Sequence, residues 1–294
     1  MSLRRRILAG LARRPALAAW GLLAPGGTWL LVFFALPMML MLGVSLMPRG
    51  TYGGVESGFT LEHYRRFLDP VYLQVLWRTV LWAAITTAIC LLAGYPLAWA
   101  IAASRKRRAF LLFLVVLPFW TSFLVRTFAM IFLLRDTGLV NSALLGLGVI
   151  EAPVALLYTP FAVLTGLVYG FLPLMVLPIY ASLEKLDPAM LEAAELLGAR
   201  PMARFVRVAL PLSLPGVIAG ILLVFVPSMG SFLTADLLGG AKQVMIGNLV
   251  QNQFTSARNW PFGAAASFAV MAVVLVAVWL SLRIRDREDL ETGR

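Results

Sequence analysis

Asp187-Pro188-Ala189-Met190-Leu191-Glu192-Ala193-Ala194-Glu195-Leu196-Leu197-Gly198-Ala199-Arg200-Pro201-Met202-Ala203-Arg204-Phe205-Val206-Arg207-Val208-Ala209-Leu210-Pro211 is the stretch on which the fold turns. It is charged enough to lie in water, yet the runs on either side, 156–183 and 212–234, are too apolar to do so. Asp187 can cap a helix with Pro188 at its first position, and Gly198 can end that helix because it takes the left-handed conformation cheaply. Pro201 is expected to open a second short helix that stops before Pro211. Two short helices at an angle make a knob outside the membrane. Its Leu191, Leu196, Leu197, Met202 and Phe205 supply apolar surface that a chain on its own would leave partly exposed.

Outward from the knob, the chain is 61% hydrophobic and 13% charged over 294 residues. A soluble domain carries about a quarter charged residues, so lipid is the expected solvent. A spanning helix needs about 20 largely apolar residues. Six candidates appear, at 28–47, 75–103, 109–134, 156–183, 212–234 and 262–282. The first apolar stretch is too long for one untilted span, and Pro25-Gly26-Gly27 is expected to divide it. Residues 3–24, with Arg4, Arg5, Arg6, Arg13 and Arg14 beside Leu3, Ile7, Leu8 and Leu11, read as a cationic helix lying on the membrane surface. The rival is a cleaved signal peptide, which would need a shorter apolar core and a small-residue cleavage site.

Cytoplasmic flanks carry the excess of Lys and Arg. Most of the 25 basic residues fall on one side, in the N-terminal segment, at Arg105, Lys106, Arg107 and Arg108, at Lys185, Arg200, Arg204 and Arg207, and at Arg283, Arg285, Arg287 and Arg294. Both termini are therefore expected in the cytoplasm, with loops 48–74, 135–155 and 235–261 outside. The net charge of +11 is spread between apolar segments and does not form the single basic face of a nucleic-acid binder. The domain reading is 1–24 as the interfacial helix, 28–284 as one six-helix transmembrane domain containing the loop 184–211, and 285–294 as a cytoplasmic tail.

Several chemistries are excluded. Cys90 and His63 are the only residues of their kinds, so the usual zinc sets, a disulfide framework and a CxxC pair cannot be built within the chain. No GxxxxGK[ST] loop is present, and Gly239-Gly240-Ala241-Lys242 lacks its spacing. The spans hold no paired carboxylates, Ser/His set or HExxH. No catalytic residue, metal site or cofactor is expected.

The joint spacing in the knob is the specific signal. Glu192-Ala193-Ala194, three residues, Gly198, nine residues, β-branched Val208, one more, then Leu210-Pro211 resembles the EAA loop of permeases in ATP-binding-cassette (ABC) importers. The family commonly has Ile where Val208 stands. Pro118-Phe119-Trp120-Thr121, Gly148-Val149-Ile150-Glu151, Gly166 to Tyr169, Ser182 to Asp187, Asp236 to Lys242, Ile246-Gly247-Asn248 and Trp260 to Ala265 extend the likeness to the spermidine/putrescine branch, as its first permease subunit. Ala235 departs from the Pro often found before the acidic residue there. The resemblance implies an all-α membrane protein of the type I ABC importer permease fold in the bacterial inner membrane. It further implies a second permease chain in a heterodimer, two cytoplasmic ATPase subunits that hydrolyse the ATP, a periplasmic substrate-binding protein, and alternating access. Glu192, Ala193, Ala194, Gly198, Leu210 and Pro211 would couple the chain to the ATPase.

For the substrate path, polar groups at membrane depth are the default candidates: Arg126, Ser228, Ser231 and Asp236. A polyamine wants ring faces and carboxylates, which Trp120, Phe123 and Tyr169, with Asp236 or Glu151, could supply. The bland alternative makes the rings interfacial anchors or packing. Arg126 would repel a cation unless paired, so a structural role is expected for it, bonded to span carbonyls or to an acid. Pro173, Pro178, Pro227 and Gly230 are candidate breaks in helices that line a cavity. Outside, Leu139, Val140, Leu144, Leu145 and Leu147, and likewise Leu237, Val244, Met245, Ile246 and Leu249, are expected to form short helices over the outer mouth, with Asn141 and Asn248 facing a docked binding protein. The competing readings are a permease for another cargo, such as ferric iron, an opine or a phosphonate, and a membrane channel.

Overall fold

The computed structural model describes residues 15–104 and 106–291. Residues 3–14 of the expected surface helix, and Arg105, lie outside them. The helices are α1 Pro15–Leu30, α2 Leu36–Ser45, α3 Glu62–Phe67, α4 Pro70–Ala103, α5 Arg108–Val116, α6 Phe123–Leu134, α7 Leu139–Gly146, α8 Pro160–Glu184, α9 Pro188–Leu196, α10 Pro201–Arg204, α11 Leu210–Gly230, α12 Leu233–Gly239, α13 Ile246–Phe254 and α14 Trp260–Glu291. Among the described residues there is no strand, only an isolated bridge between Arg49 and Val55. Five helical stretches are long and apolar enough to cross a membrane: Leu23–Ser45, Pro70–Ala103, Pro160–Glu184, Pro201–Gly230 and Trp260–Leu280. A sixth crossing is made if the bent pair Arg108–Trp120 and Phe123–Gly146 counts as one.

Three sequence expectations are corrected. No break occurs at Pro25-Gly26-Gly27: α1 runs through them and continues by a π turn, Leu31–Ala35, into α2. Nor does the second helix of the knob stop before Pro211, because α10 continues by another π turn, Phe205–Ala209, into α11. Both π turns precede a Leu-Pro pair, Leu36-Pro37 and Leu210-Pro211. A proline ring collides with the carbonyl four residues back in an α-helix, and the wider π turn relieves that collision without ending the helix. The third correction is to the straight span 109–134, which bends by 91° where the 3-10 turn Leu117–Trp120 gives way to extended Thr121 and Ser122.

The core lies where α4, α8 and α11 meet, around Cys90, Ala98, Ile101, Met175, Val176, Ile179 and Val224. Close approach there depends on Gly216 and Gly220, four apart on α11. A Cβ at Gly216 would stand 2.4 Å from the Pro178 carbonyl oxygen and 2.5 Å from Ser182 Oγ, and one at Gly220 would stand 2.7 Å from Met175 Sδ. Hydrocarbon offers helices no hydrophobic drive to associate, so such small-residue contact is what holds them. Pro173 and Pro178 sit inside unbroken α8 and Pro227 inside α11, leaving Gly230 as the one expected break that ends a helix. The first span is peripheral, packing on α14 across a 240 Å³ gap lined by Pro37, Met38, Met41, Ser267, Phe268 and Met271.

Candidate functional site

The knob is built as its residues dictate. Asp187 caps α9, accepting a 2.9 Å hydrogen bond from the Ala189 amide. Gly198 ends it at φ +81°, while its amide and that of Ala199 close on the carbonyls of Glu195 and Ala194. α10 then folds back, and Arg204 pairs with Glu195. The hinge with the bundle is aromatic. Phe205 packs edge-on to Tyr95 and Trp99, with centroids 5.3 and 6.0 Å apart. Tyr95 and Ser213 share a buried 2.7 Å hydrogen bond below it. Leu191 lines a groove of about 480 Å³ with Tyr95, Pro96, Trp99, Pro201, Arg204 and Phe205. At the adjoining corner of the bundle, Arg108 bonds Glu184 at 2.5 Å.

The expected coupling residues divide into two groups. Glu192, Ala193 and Gly198 are exposed on the knob and Ala194 is half-buried. Among the described residues Glu192 has no hydrogen-bond or ionic partner, so its carboxylate is free for another chain. Beside it Leu196 and Leu197 are 89% and 88% exposed. Leu210 and Pro211 belong instead to the root of the fifth span, where Leu210 packs on the core.

The candidate path residues are likewise only partly brought together. Phe123 and Tyr169 line one small crevice with Arg126, Thr127, Gly166 and Gly170. Trp120 stands apart, 75% exposed and edge-on to Phe113. Ser228 is fully buried, its hydroxyl donating to the Val224 carbonyl at 2.6 Å, so it reaches no cavity. Ser231 lies at the break after α11 and donates to Thr234 Oγ1 at 3.1 Å. Asp236 is exposed on α12 and accepts a 2.5 Å hydrogen bond from Asn248 Nδ2. Glu151 is exposed in the loop after α7. Among the described residues Arg126 has neither the carbonyl nor the acid expected for it: its guanidinium lies over Phe119 and Phe123, 5.4 and 5.7 Å from their centroids.

The apolar outer loops do form short helices, α7, α12 and α13. Asn141 and Asn248 do not face outward from them. Asn141 is buried and clasps Val154, accepting from its amide and donating to its carbonyl, both at 2.9 Å. Asn248 is 7% exposed; besides Asp236 it bonds the Phe232 carbonyl at 2.8 Å and accepts from the Met245 amide at 3.1 Å. A polar side chain can be buried when all its bonds are made, and isolated asparagines in an apolar loop were the available hint. Thr79 and Arg78 complete the anchorage from α4, accepting from the Ile246 amide at 2.9 Å and donating to the Val244 carbonyl at 2.8 Å.

Residues 91–287 match the family described as binding-protein-dependent transport system inner membrane component. The chain is 45% identical over 264 residues to the spermidine/putrescine transport system permease protein PotB of Escherichia coli K12, covering 88% of this chain and 96% of that one. Its likeness to PotB of Haemophilus influenzae Rd is 44% over 257 residues, covering 87% and 90%. In structure it is similar to a chain of the bacterial alginate ABC transporter in complex with alginate pentasaccharide-bound periplasmic protein, with a TM-score of 0.72 at 20% identity over 96% of this chain and 98% of that one.

Proposed function

The chain belongs to the family of binding-protein-dependent transport system inner membrane components, and from that premise we propose that it moves polyamines of the spermidine/putrescine class into the cytoplasm. It is a multi-pass transport component of the inner membrane and not an enzyme. Support for the polyamine cargo comes from one observation, the 45% identity that runs along 88% of the chain to a spermidine/putrescine permease.

In the proposed assembly this chain pairs with a second permease chain, and a periplasmic binding protein delivers cargo to the face formed by α7, α12 and α13. Two cytoplasmic ATPase subunits hold the knobs. Both termini are cytoplasmic. Glu192 gives the ATPase a charged hydrogen bond, Ala193 and Ala194 let it approach, and Leu196 and Leu197 bury against it. Closure of the ATPases draws the knobs together, and the spans turn from inward-open to outward-open. Phe123 and Tyr169 offer ring faces to ammonium groups, and Asp236 offers a carboxylate near the outer mouth.

The test is uptake of radiolabelled spermidine and putrescine by the complex reconstituted in liposomes with its binding protein. ATP-dependent accumulation, competed by unlabelled polyamine, is the expected result. ATP hydrolysis that responds to the binding protein without polyamine accumulation would refute the cargo and leave the permease role standing. Reporter fusions after Arg108 and after Arg294 test the orientation, and activity from the periplasmic side at either would overturn it.

A further inference from the structure

Among the described residues of the broken third span, Arg108 has one buried nitrogen unpartnered but is paired with Glu184, whereas Arg126 is left with two. It occupies the first turn of α6, the positive end of that helix's dipole, where a cation is disfavoured. Nε and Nη1 are buried and have no hydrogen-bond partner among the described residues. The faces of Phe119 and Phe123 are its only compensation, and ring faces satisfy charge without accepting the directed N–H bonds of a guanidinium. Nη2 is not among the buried, unpartnered atoms.

Arg126 sits on the face of α6 that lines a small crevice with Phe123, Thr127 and Tyr169, where Tyr169 is 44% exposed; the other faces of the segment are apolar surface, with Trp120 and Val125 75% and 60% exposed and Leu124 and Phe128 each 43% exposed. Arg108 is among the basic residues of the cytoplasmic flank. From it, α5 and the 3-10 turn climb about 20 Å, at about 1.5 and 2.0 Å per residue, before the bend that leads to Arg126. That places the group well inside a hydrocarbon layer about 30 Å thick, away from the phosphates of either leaflet. A buried guanidinium at such depth calls for an acceptor delivered by protein.

We propose that Arg126 receives a carboxylate carried on a span of the second permease chain, forming an ion pair across the interface of the two permeases. This rests on the heterodimeric reading above. The carboxylate meets Nη2 first, and a small turn of the guanidinium between its two rings brings a second N–H into a bidentate pair. Pairing also removes the objection that a fixed cation beside Phe123 and Tyr169 poses to a cationic cargo. The ring faces are then left beside a neutral pair and not beside a bare charge.

The test uses the full complex. Arg126→Gln and Arg126→Lys are made in this chain, each Asp and Glu within the spans of the second permease is changed to Asn or Gln, and recovery of the second permease with this chain is measured after membrane insertion is checked by immunoblot. Arg126→Gln is expected to lower recovery at least about tenfold and Arg126→Lys by less, since Lys keeps the charge but not the fork. One acid of the second permease should match the loss, and the double substitution should lose no more than either alone. Normal recovery with Arg126→Gln, or recovery that follows the anionic lipid content and no acid of the second permease, would overturn the pair and assign the acceptor to a lipid phosphate or to nothing. Should Arg126→Gln fail to insert, Arg126→Lys and the acid substitutions decide between these outcomes. Wild-type polyamine uptake is scored separately, so loss of the cargo reading and loss of the ion pair are told apart.

Discussion

The joint between α8 and α11 and the knob that joins them along the chain are neighbours in sequence and opposites in construction. In the joint Gly216 and Gly220 press backbone against side chain with no room for a methyl group. On the knob, nothing lies within 4 Å of where a Cβ would stand at Gly198, and Leu196 and Leu197 are almost bare. A surface that has settled its contacts within the chain shows close packing, and a surface awaiting another protein shows sound local geometry with unspent apolar area. The same residue type therefore carries different information in the two places: at Gly216 it reports on space, at Gly198 on the backbone angle.

Four substitutions sharpen that contrast. Glu192→Ala should have the largest effect, and only on function. Loss of a charged contact at a buried interface costs about 2 to 5 kcal/mol of association, so uptake and coupled ATP hydrolysis in the reconstituted complex should fall strongly. Thermal unfolding of the isolated chain in detergent should be unchanged within about 0.5 kcal/mol. Wild-type transport by a complex carrying Glu192→Ala would mean that the knob packs on its own bundle. Gly216→Val comes next and inverts the pattern: overpacking against Pro178 and Ser182 should cost about 1 to 3 kcal/mol of stability in the same unfolding experiment. Gly198→Val should cost about 1 to 2 kcal/mol through the left-handed backbone, since space there is free. If Gly198→Ala were as harmless as an exposed substitution, the left-handed turn would not persist in the protein. Asn248→Ala is the smallest, about 1 kcal/mol from bonds lost between α12 and α13, read as faster hydrogen exchange at the Met245 amide.

What is legible in the sequence depends on the range of the interaction. Asp187, Pro188 and Gly198 declare the knob because capping acts within four residues. The crossings are visible because hydropathy sums over about 20 residues. Pro211 misleads because the turn before it widens and lets the helix continue, and Pro25 misleads because α1 accommodates it with no widened turn before it. Thr121-Ser122 gives no sign of the 91° bend, since any residue adopts the extended backbone the two take there. Polarity alone puts Asn141 and Asn248 on the surface, while burial rests on partners in other segments. Gly216 and Gly220 are the reverse case. Their four-residue spacing is open to inspection in the sequence and marks a close contact of the core.

The uninterrupted course of Pro201–Gly230 through Pro211 has a mechanical consequence. At about 1.5 Å per residue, its 30 residues make a rod about 45 Å long, of which about 20 Å lies beyond the glycine contact at Gly216, so a tilt of about 10° about that contact displaces the far end by about 3 to 4 Å. That end is Gly230, followed at once by Ser231 and the short helix bearing Asp236. With the glycine contact with α8 as fulcrum, the rod is a lever of two arms of about equal length whose handle is the knob. Such a lever carries an angular stroke at the knob to the opposite end of the span as a displacement of similar size, with no signal relayed from residue to residue.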